Sequence, residues 1–271
     1  MKTTNPVLSR LGQAAERERA AGYAPPGPYG QPGYGQPYPT EAAYPAAPPA
    51  VAPMTLDDVV VKTVTLLGLL AASAATAWVL VPDRFIGMAW IGAAMVGLVL
   101  GLIISFSRSA NPALVVTYAI VEGVFVGMIS KAFETRFEGI VLQAAAATFG
   151  VFFLMAILYK VKAIRATPKF VRGVTAAMMG IFAVIMINLV LALFGINTGL
   201  RDGSPLAIGF SLVVIVIAAL SFILSFHEIE EGVRLGLPQR YAWTAAFGIL
   251  VSLIWVYIEV LRLLSYFQGE D

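Results

Sequence analysis

The residues able to do chemistry in this chain are few, and most of them fall in three places. His227-Glu228-Ile229-Glu230-Glu231 joins the only histidine to three carboxylates. On a helix, His227 and Glu231 share a face, as do Glu228 and Glu231. Carboxylate oxygens suit hard cations such as Ca²⁺, and a histidine beside acids titrates near neutral pH. Glu122 stands alone in YAIVEGVFVG, and Glu259 and Arg262 stand three residues apart in YIEVLRLLSY. Cation attraction and proton sensing are the chemistry such groups support. The structural alternatives stay open: a solvated helix end, an internal ion pair, and a neutral glutamate hydrogen-bonded to a neighbouring helix.

Hydrolytic and redox chemistry fare poorly. The chain has no cysteine, which excludes disulfides, zinc-thiolate sites and thiol nucleophiles. The pattern H-E-x-E-E lacks the second histidine of a zinc-protease helix. Every aspartate lies in a loop, in a tail or at a helix start, so no aspartyl pair faces an intramembrane substrate. No Walker loop is present, and the glycines from Gly27 to Gly35 belong to a proline-rich stretch. The expectation is a protein that is not an enzyme, uses no cofactor and has no certain metal site. A net charge of +2 gives no reason to expect nucleic acid.

Seven long apolar runs between residues 59 and 267 must position these groups. Hydrophobic residues make up 59% of the chain and charged ones 13%, against about 25% charged in a soluble domain. A run of roughly 20 apolar residues matches the ~30 Å hydrocarbon core of a bilayer. The fold class expected is an all-α membrane protein, a seven-transmembrane helix bundle over residues 55–268. The runs cover about 59–81, 86–106, 112–131, 139–160, 172–195, 205–227 and 239–266. Thr55 with Asp58, Asn111-Pro112 and Ser204-Pro205 read as helix starts. Asn188, Ser211, Ser221, Ser225 and Ser252 complete the interior polar set. Each serine is expected to bond to its own backbone. Gly97 and Gly101, Gly123 and Gly127, and the alanines 71, 72, 74 and 75 read as surfaces for close helix approach.

Residues 1–54 form an N-terminal tail, in which residues 21–53 are of low complexity, with ten prolines between Pro25 and Pro53. Proline and glycine at that density predict disorder with polyproline-II character. A tail ahead of the first span also places the loops. With the N-terminus inside, the eighteen Lys and Arg divide thirteen to five in favour of the inner segments. The positive-inside rule then puts the N-terminus in the cytoplasm and, after seven crossings, the C-terminus outside a plasma membrane.

Three stretches carry a family resemblance: YAIVEGVFVGMIS, FILSFHEIEEGVRLGLP and YAWTAAFGILVSLIWVYIEVLRLLSYF. In order and spacing they resemble the Bax inhibitor-1 / YccA (transmembrane Bax-inhibitor-motif) family, and NPVLSR and MTLDDVVVKT resemble a bacterial branch of it. The resemblance covers about residues 55–268. It implies a seven-helix bundle with the last helix in the centre and a role in ion homeostasis or stress resistance. Some members are pH-sensitive calcium leaks, and others modulate membrane proteases. The leak type uses two membrane aspartates and an arginine near the end of helix two. Carried over without gaps, the aspartate positions fall on or near Ser225 and Ser252, and the nearest arginine is Arg108, with Ser105 at the matching position. The acid pair is therefore replaced by hydroxyls.

The leading expectation is a pH-sensitive cation (calcium) leak or ion-homeostasis protein. Its sensing residues would come from Glu122, Glu259, His227, Glu228, Glu230, Glu231, Arg108 and Arg262. The expected partners are the lipid bilayer and calcium or protons. The alternative is a non-conducting regulator that binds other membrane proteins or a membrane protease. A secondary transporter ranks third, since no internal repeat is visible.

Overall fold

A computed structural model describes residues 52–107, 111–196, 198–200 and 202–269. Seven helices account for nearly all of it: α1 (Leu56–Leu80), α2 (Ile86–Phe106), α3 (Pro112–Glu134), α4 (Ile140–Lys160), α5 (Pro168–Leu193), α6 (Pro205–Arg234) and α7 (Tyr241–Gln268). A short 3₁₀ turn, Asp83–Phe85, joins α1 to α2. All seven helices are long and apolar enough to cross a membrane. At ~1.5 Å per residue the shortest of them reaches about 30 Å. No strand is present among the described residues. Arg108 and the tail up to residue 51 lie outside the described residues.

The helix starts follow local chemistry. Thr55 caps α1 in a reciprocal box with Asp58, and Asn111 and Ser204 cap α3 and α6 ahead of a proline at the first turn. α4 begins at Gly139, whose φ of +79° suits a residue without Cβ. Its first amides donate to the Glu134 carboxylate, from Gly139 at 2.7 Å and Val141 at 3.0 Å. Two helices outrun the apolar stretches expected for them. α3 continues to Glu134 and α6 to Arg234, because a helix can extend past the hydrocarbon on polar, helix-favouring residues.

α7 is the hub. It packs on α1, α3, α4 and α6, whereas α2 leans mainly on α3 and α5 mainly on α6. The last helix is therefore central, and α2 and α5 are peripheral and mostly lipid-facing. Phe222 and Ile223 of α6 and Leu250, Val256 and Leu261 of α7 are all fully buried. Phe152 of α4 meets Phe222 and Phe226 of α6 edge-on, at 5.3 and 5.8 Å between ring centres, a favourable aromatic geometry.

α3 is gripped on both sides through glycine. A Cβ on Gly123 would lie 2.5 Å from the Leu70 carbonyl oxygen, and one on Gly127 2.5 Å from that of Ala74. α1 thus rests directly on the α3 backbone, the close approach that small residues allow in membranes. On the other side, Gly101 of α2 meets the Tyr118 ring and Gly97 meets the Glu122 carboxyl.

At the end of the bundle that carries Thr55, the chain is fastened before α1 begins. Pro53 bridges antiparallel to Pro238 in the α6–α7 turn. Met54 N–H donates to the Leu237 carbonyl at 2.7 Å, and Gln239 N–H to that of Ala52 at 2.9 Å. The Met54 side chain is buried against Gly232 and Leu237. Gln239 also donates to Asp58 at 2.6 Å. Residues 52–54, placed in the tail by sequence, are thus fixed to the bundle.

Gly127→Val drives two methyl groups into the α1 backbone, and overpacking of this kind costs about 1–3 kcal/mol. We expect a clear loss of thermal stability in detergent for Gly127→Val and little change for Gly68→Ala, where the added atom meets nothing. Equal stability of the two variants would refute this account of the α1–α3 contact.

Candidate functional site

Polar groups inside the bundle collect along the α6–α7 interface. The two helices are antiparallel, so positions descending one helix match positions ascending the other. Ser225 lies beside Gly248. Ser221 and Ser252 share a hydrogen bond at 3.0 Å. Farther along, Ser211 donates to Glu259 at 3.3 Å, and Glu259 is paired with Arg262. Ser211, Ser221, Ser252 and Glu259 are all buried. Between the two serines and the glutamate, Val214, Ala218 and Val256 close the seam with apolar side chains.

The Glu259–Arg262 pair sits one helical turn apart on α7, as their spacing requires. Arg262 keeps one guanidinium nitrogen on the carboxylate, while its Nε, also buried, has no partner among the described residues. A buried carboxylate tolerates the membrane interior only with such a counter-charge or a proton.

Glu122 occupies a different place. It is buried between α3 and α2, with its carboxyl over Gly97 and Tyr118, one turn earlier, as its side-chain partner. Tyr118 in turn meets Phe247 of α7 edge-on at 4.9 Å. The structure therefore separates the two interior acids: Glu259 belongs to the α6–α7 seam, and Glu122 to the α2–α3 contact.

The His227–Glu231 cluster forms the last turns of α6. Its acids act singly: Tyr159 of α4 donates to Glu230, and Arg234 pairs with Glu231. Glu228 and Glu230 are exposed, and His227 and Glu231 half-buried. Among the described residues no three His, Asp or Glu side chains come together to hold a metal ion. Arg108 falls outside the described residues.

The two positions singled out for the family aspartates are not opposite each other. Ser252 faces Ser221, and Ser225 sits one turn away with its hydroxyl on the Ser221 carbonyl at 3.3 Å. Ser221 also bonds its own helix, to Ala218 at 2.6 Å. The expectation of local bonding fits Ser225 and, in part, Ser221, whereas Ser252 bonds across the interface to Ser221 and Ser211 to Glu259. Tyrosine is the partner that sequence reasoning missed. Tyr257 and Ser130 share a hydrogen bond at 2.6 Å between α7 and α3, and Tyr118 and Tyr159 serve two of the acids. Their one signal was a hydroxyl-bearing ring inside an otherwise aliphatic run.

Seven spanning helices, a central last helix and a buried polar seam along it define a polytopic helical membrane protein with ionisable groups in its interior. The family model described as Bax inhibitor 1 like matches residues 5–269. The chain belongs to that family. Comparison with curated proteins finds no match.

Arg262→Met leaves Glu259 buried without its counter-charge, a change that costs about 3–5 kcal/mol when a buried pair is broken. Replacing both partners, Glu259→Leu with Arg262→Met, should recover most of that loss. Unfolding in mixed micelles measures the double-mutant cycle, and additive losses would show that the two side chains are not coupled.

Proposed function

We propose that this chain is a pH-sensitive cation leak or ion-homeostasis protein, with calcium and protons as the ions concerned. The observation that carries the reading is the buried seam from Ser225 to Arg262 along the central helix. Polar and ionisable residues inside a membrane helix are costly, and they mark ion pathways and proton relays. The seam is closed by Val214, Ala218 and Val256, and its one carboxylate is masked by Arg262. That arrangement fits a pathway shut at rest and opened by rearrangement of α6 against α7. Glu122, packed into α2, is the second titratable group able to bias the bundle. The thirteen-to-five division of basic residues favours a cytoplasmic N-terminus and an external C-terminus in the plasma membrane.

A second reading is a non-conducting regulator of other membrane proteins or of a membrane protease. The observation in its favour is that Ser225 and Ser252, where the resemblance to leak-type members calls for acid, carry only neutral hydroxyls, bonded to Ser221. Neither reading needs a catalytic residue or a cofactor.

Reconstitution into liposomes with a calcium dye separates the two. Under the leak reading, flux is slower at acid pH, where the interior carboxyls are neutral, and faster at alkaline pH. Glu122→Gln and Glu259→Gln then flatten the profile if the replaced group is the sensor, and an unchanged profile rules that residue out. Flux equal to that of empty liposomes at both extremes ends the leak reading and leaves the regulator.

A further inference from the structure

Four helices enclose an apolar notch of about 500 Å³ on the side of the bundle away from the seam. α3 and α7 form its floor, and α1 and α4 stand on either side. Ala71, Ala75 and Trp78 line the α1 wall, and Ala145 and Phe149 the α4 wall. The alanines explain the gap. Ala74 is used up against Gly127, whereas Ala71 and Ala75, a turn apart, leave the space that larger side chains would fill. The volume lies within the range of pockets that hold small ligands, about 300–1,000 Å³.

The place of the notch in the fold narrows what can occupy it. Along α1 it runs from Leu67 to Val79, about 18 Å at the helical rise of ~1.5 Å per residue. That is a little more than half of the ~30 Å hydrocarbon core, the reach of one leaflet. Its walls carry no charged side chain, and an empty gap would forfeit dispersion contacts on every wall. The hydroxyls of its serine, threonine and tyrosine are already engaged. Ser130 is bonded to Tyr257 on the floor, and Thr148 to the Ala144 carbonyl.

Charge appears only where the notch reaches the end of the bundle that carries Gly269. Lys131 follows Ser130 there, with its ammonium on Asp83 at 2.8 Å and on the Val81 carbonyl at 3.0 Å. Arg84, in the 3₁₀ turn beyond Val79, is exposed and rests on the Phe85 ring. Glu134, on the α4 side, is engaged in capping α4. Arg84 is thus an exposed cation at the level of lipid phosphates, beyond the end of an apolar groove one leaflet deep, and Arg136 of the α3–α4 turn is exposed at the same end.

We propose that the notch binds an acyl chain of a glycerophospholipid from the leaflet at the Gly269 end, with the lipid phosphate on Arg84. The chain lies along α1 over Ala71 and Ala75, and Trp78 marks the level at which hydrocarbon gives way to headgroups, where tryptophan is enriched. The site is separate from the polar seam and does not depend on ion conduction.

The test uses the full-length protein in phosphatidylglycerol vesicles doped with the same lipid carrying a diazirine partway along one acyl chain. After irradiation, adducts are mapped by mass spectrometry. We expect adducts on the notch walls to exceed those on the lipid-facing residues Phe182 and Ile187 of α5 by about tenfold, equivalent to ~1.4 kcal/mol of preference. Ala75→Trp should abolish the excess and leave the α5 adducts unchanged. If that variant does not fold, Ala145→Leu fills the notch from the opposite wall. Arg84→Gln should reduce labelling by the phospholipid but not by a photoreactive diacylglycerol, which lacks the phosphate. Equal adduct density on α5 and on the notch would overturn the proposal, leaving ordinary lipid solvation. High-yield disulfide crosslinking of Ala75→Cys copies, clean in a chain without cysteine, would overturn it in favour of a second copy. Equal loss of both photoreactive lipids in Arg84→Gln would overturn the phosphate contact.

Discussion

α3 has to be approached from two sides at once, and much of the bundle is arranged around how it meets that demand. Gly123 and Gly127 let the α1 backbone settle on one face. Glu122, the residue just before Gly123, turns to another face, where Gly97 of α2 makes room for its carboxyl. In lipid there is no hydrophobic force between helices, so association depends on close van der Waals contact and on satisfied polar groups. The two faces of α3 use one of these each. Once α1 and α2 are seated on it, the hub helix α7 can pack against α1 and α3 together.

The central helix carries the most deeply enclosed of the ion pairs among the described residues. Its Arg and Glu share one helix, so the charge is neutralised without dependence on a neighbour, and Ser211 of α6 adds a single hydroxyl. Such an arrangement keeps α7 acceptable to the membrane without a charged partner on α6. The hydroxyl contacts nearer the Thr55 end are weaker and local, in part to the backbone of α6 itself. The interface between α6 and α7 therefore combines a self-contained charged site with a sparsely bonded stretch, separated by a tight apolar girdle at Val214, Ala218 and Val256.

Much of the architecture was legible in the sequence, because length and apolarity decide what a bilayer accepts. The caps at Thr55, Asn111 and Ser204 were also readable, since each signal is local. The ends of α3 and α6 were not, because hydropathy marks where lipid stops rather than where a helix stops. The register between α6 and α7 was out of reach as well. An ungapped reading places the family aspartates on or near Ser225 and Ser252, and spacing alone does not show that Ser252 faces Ser221, one turn from Ser225. The tyrosine partners were overlooked because a ring within an aliphatic run reads as apolar bulk. Pairing of Pro53 with Pro238 had no signal at all, since it joins distant segments through the backbone.

That last pairing has a mechanical meaning. At Ala52 the polypeptide is tied to the turn that feeds the hub helix before it enters α1. Tension applied to the chain upstream of Ala52 is shared between the foot of α1 and the foot of α7, through Gln239 and the Met54 side chain wedged at Gly232. The junction works as a bracket, so a pull or a steric load at the N-terminus reaches the α6–α7 corner directly. The lever it acts on is the same pair of helices that encloses the polar seam.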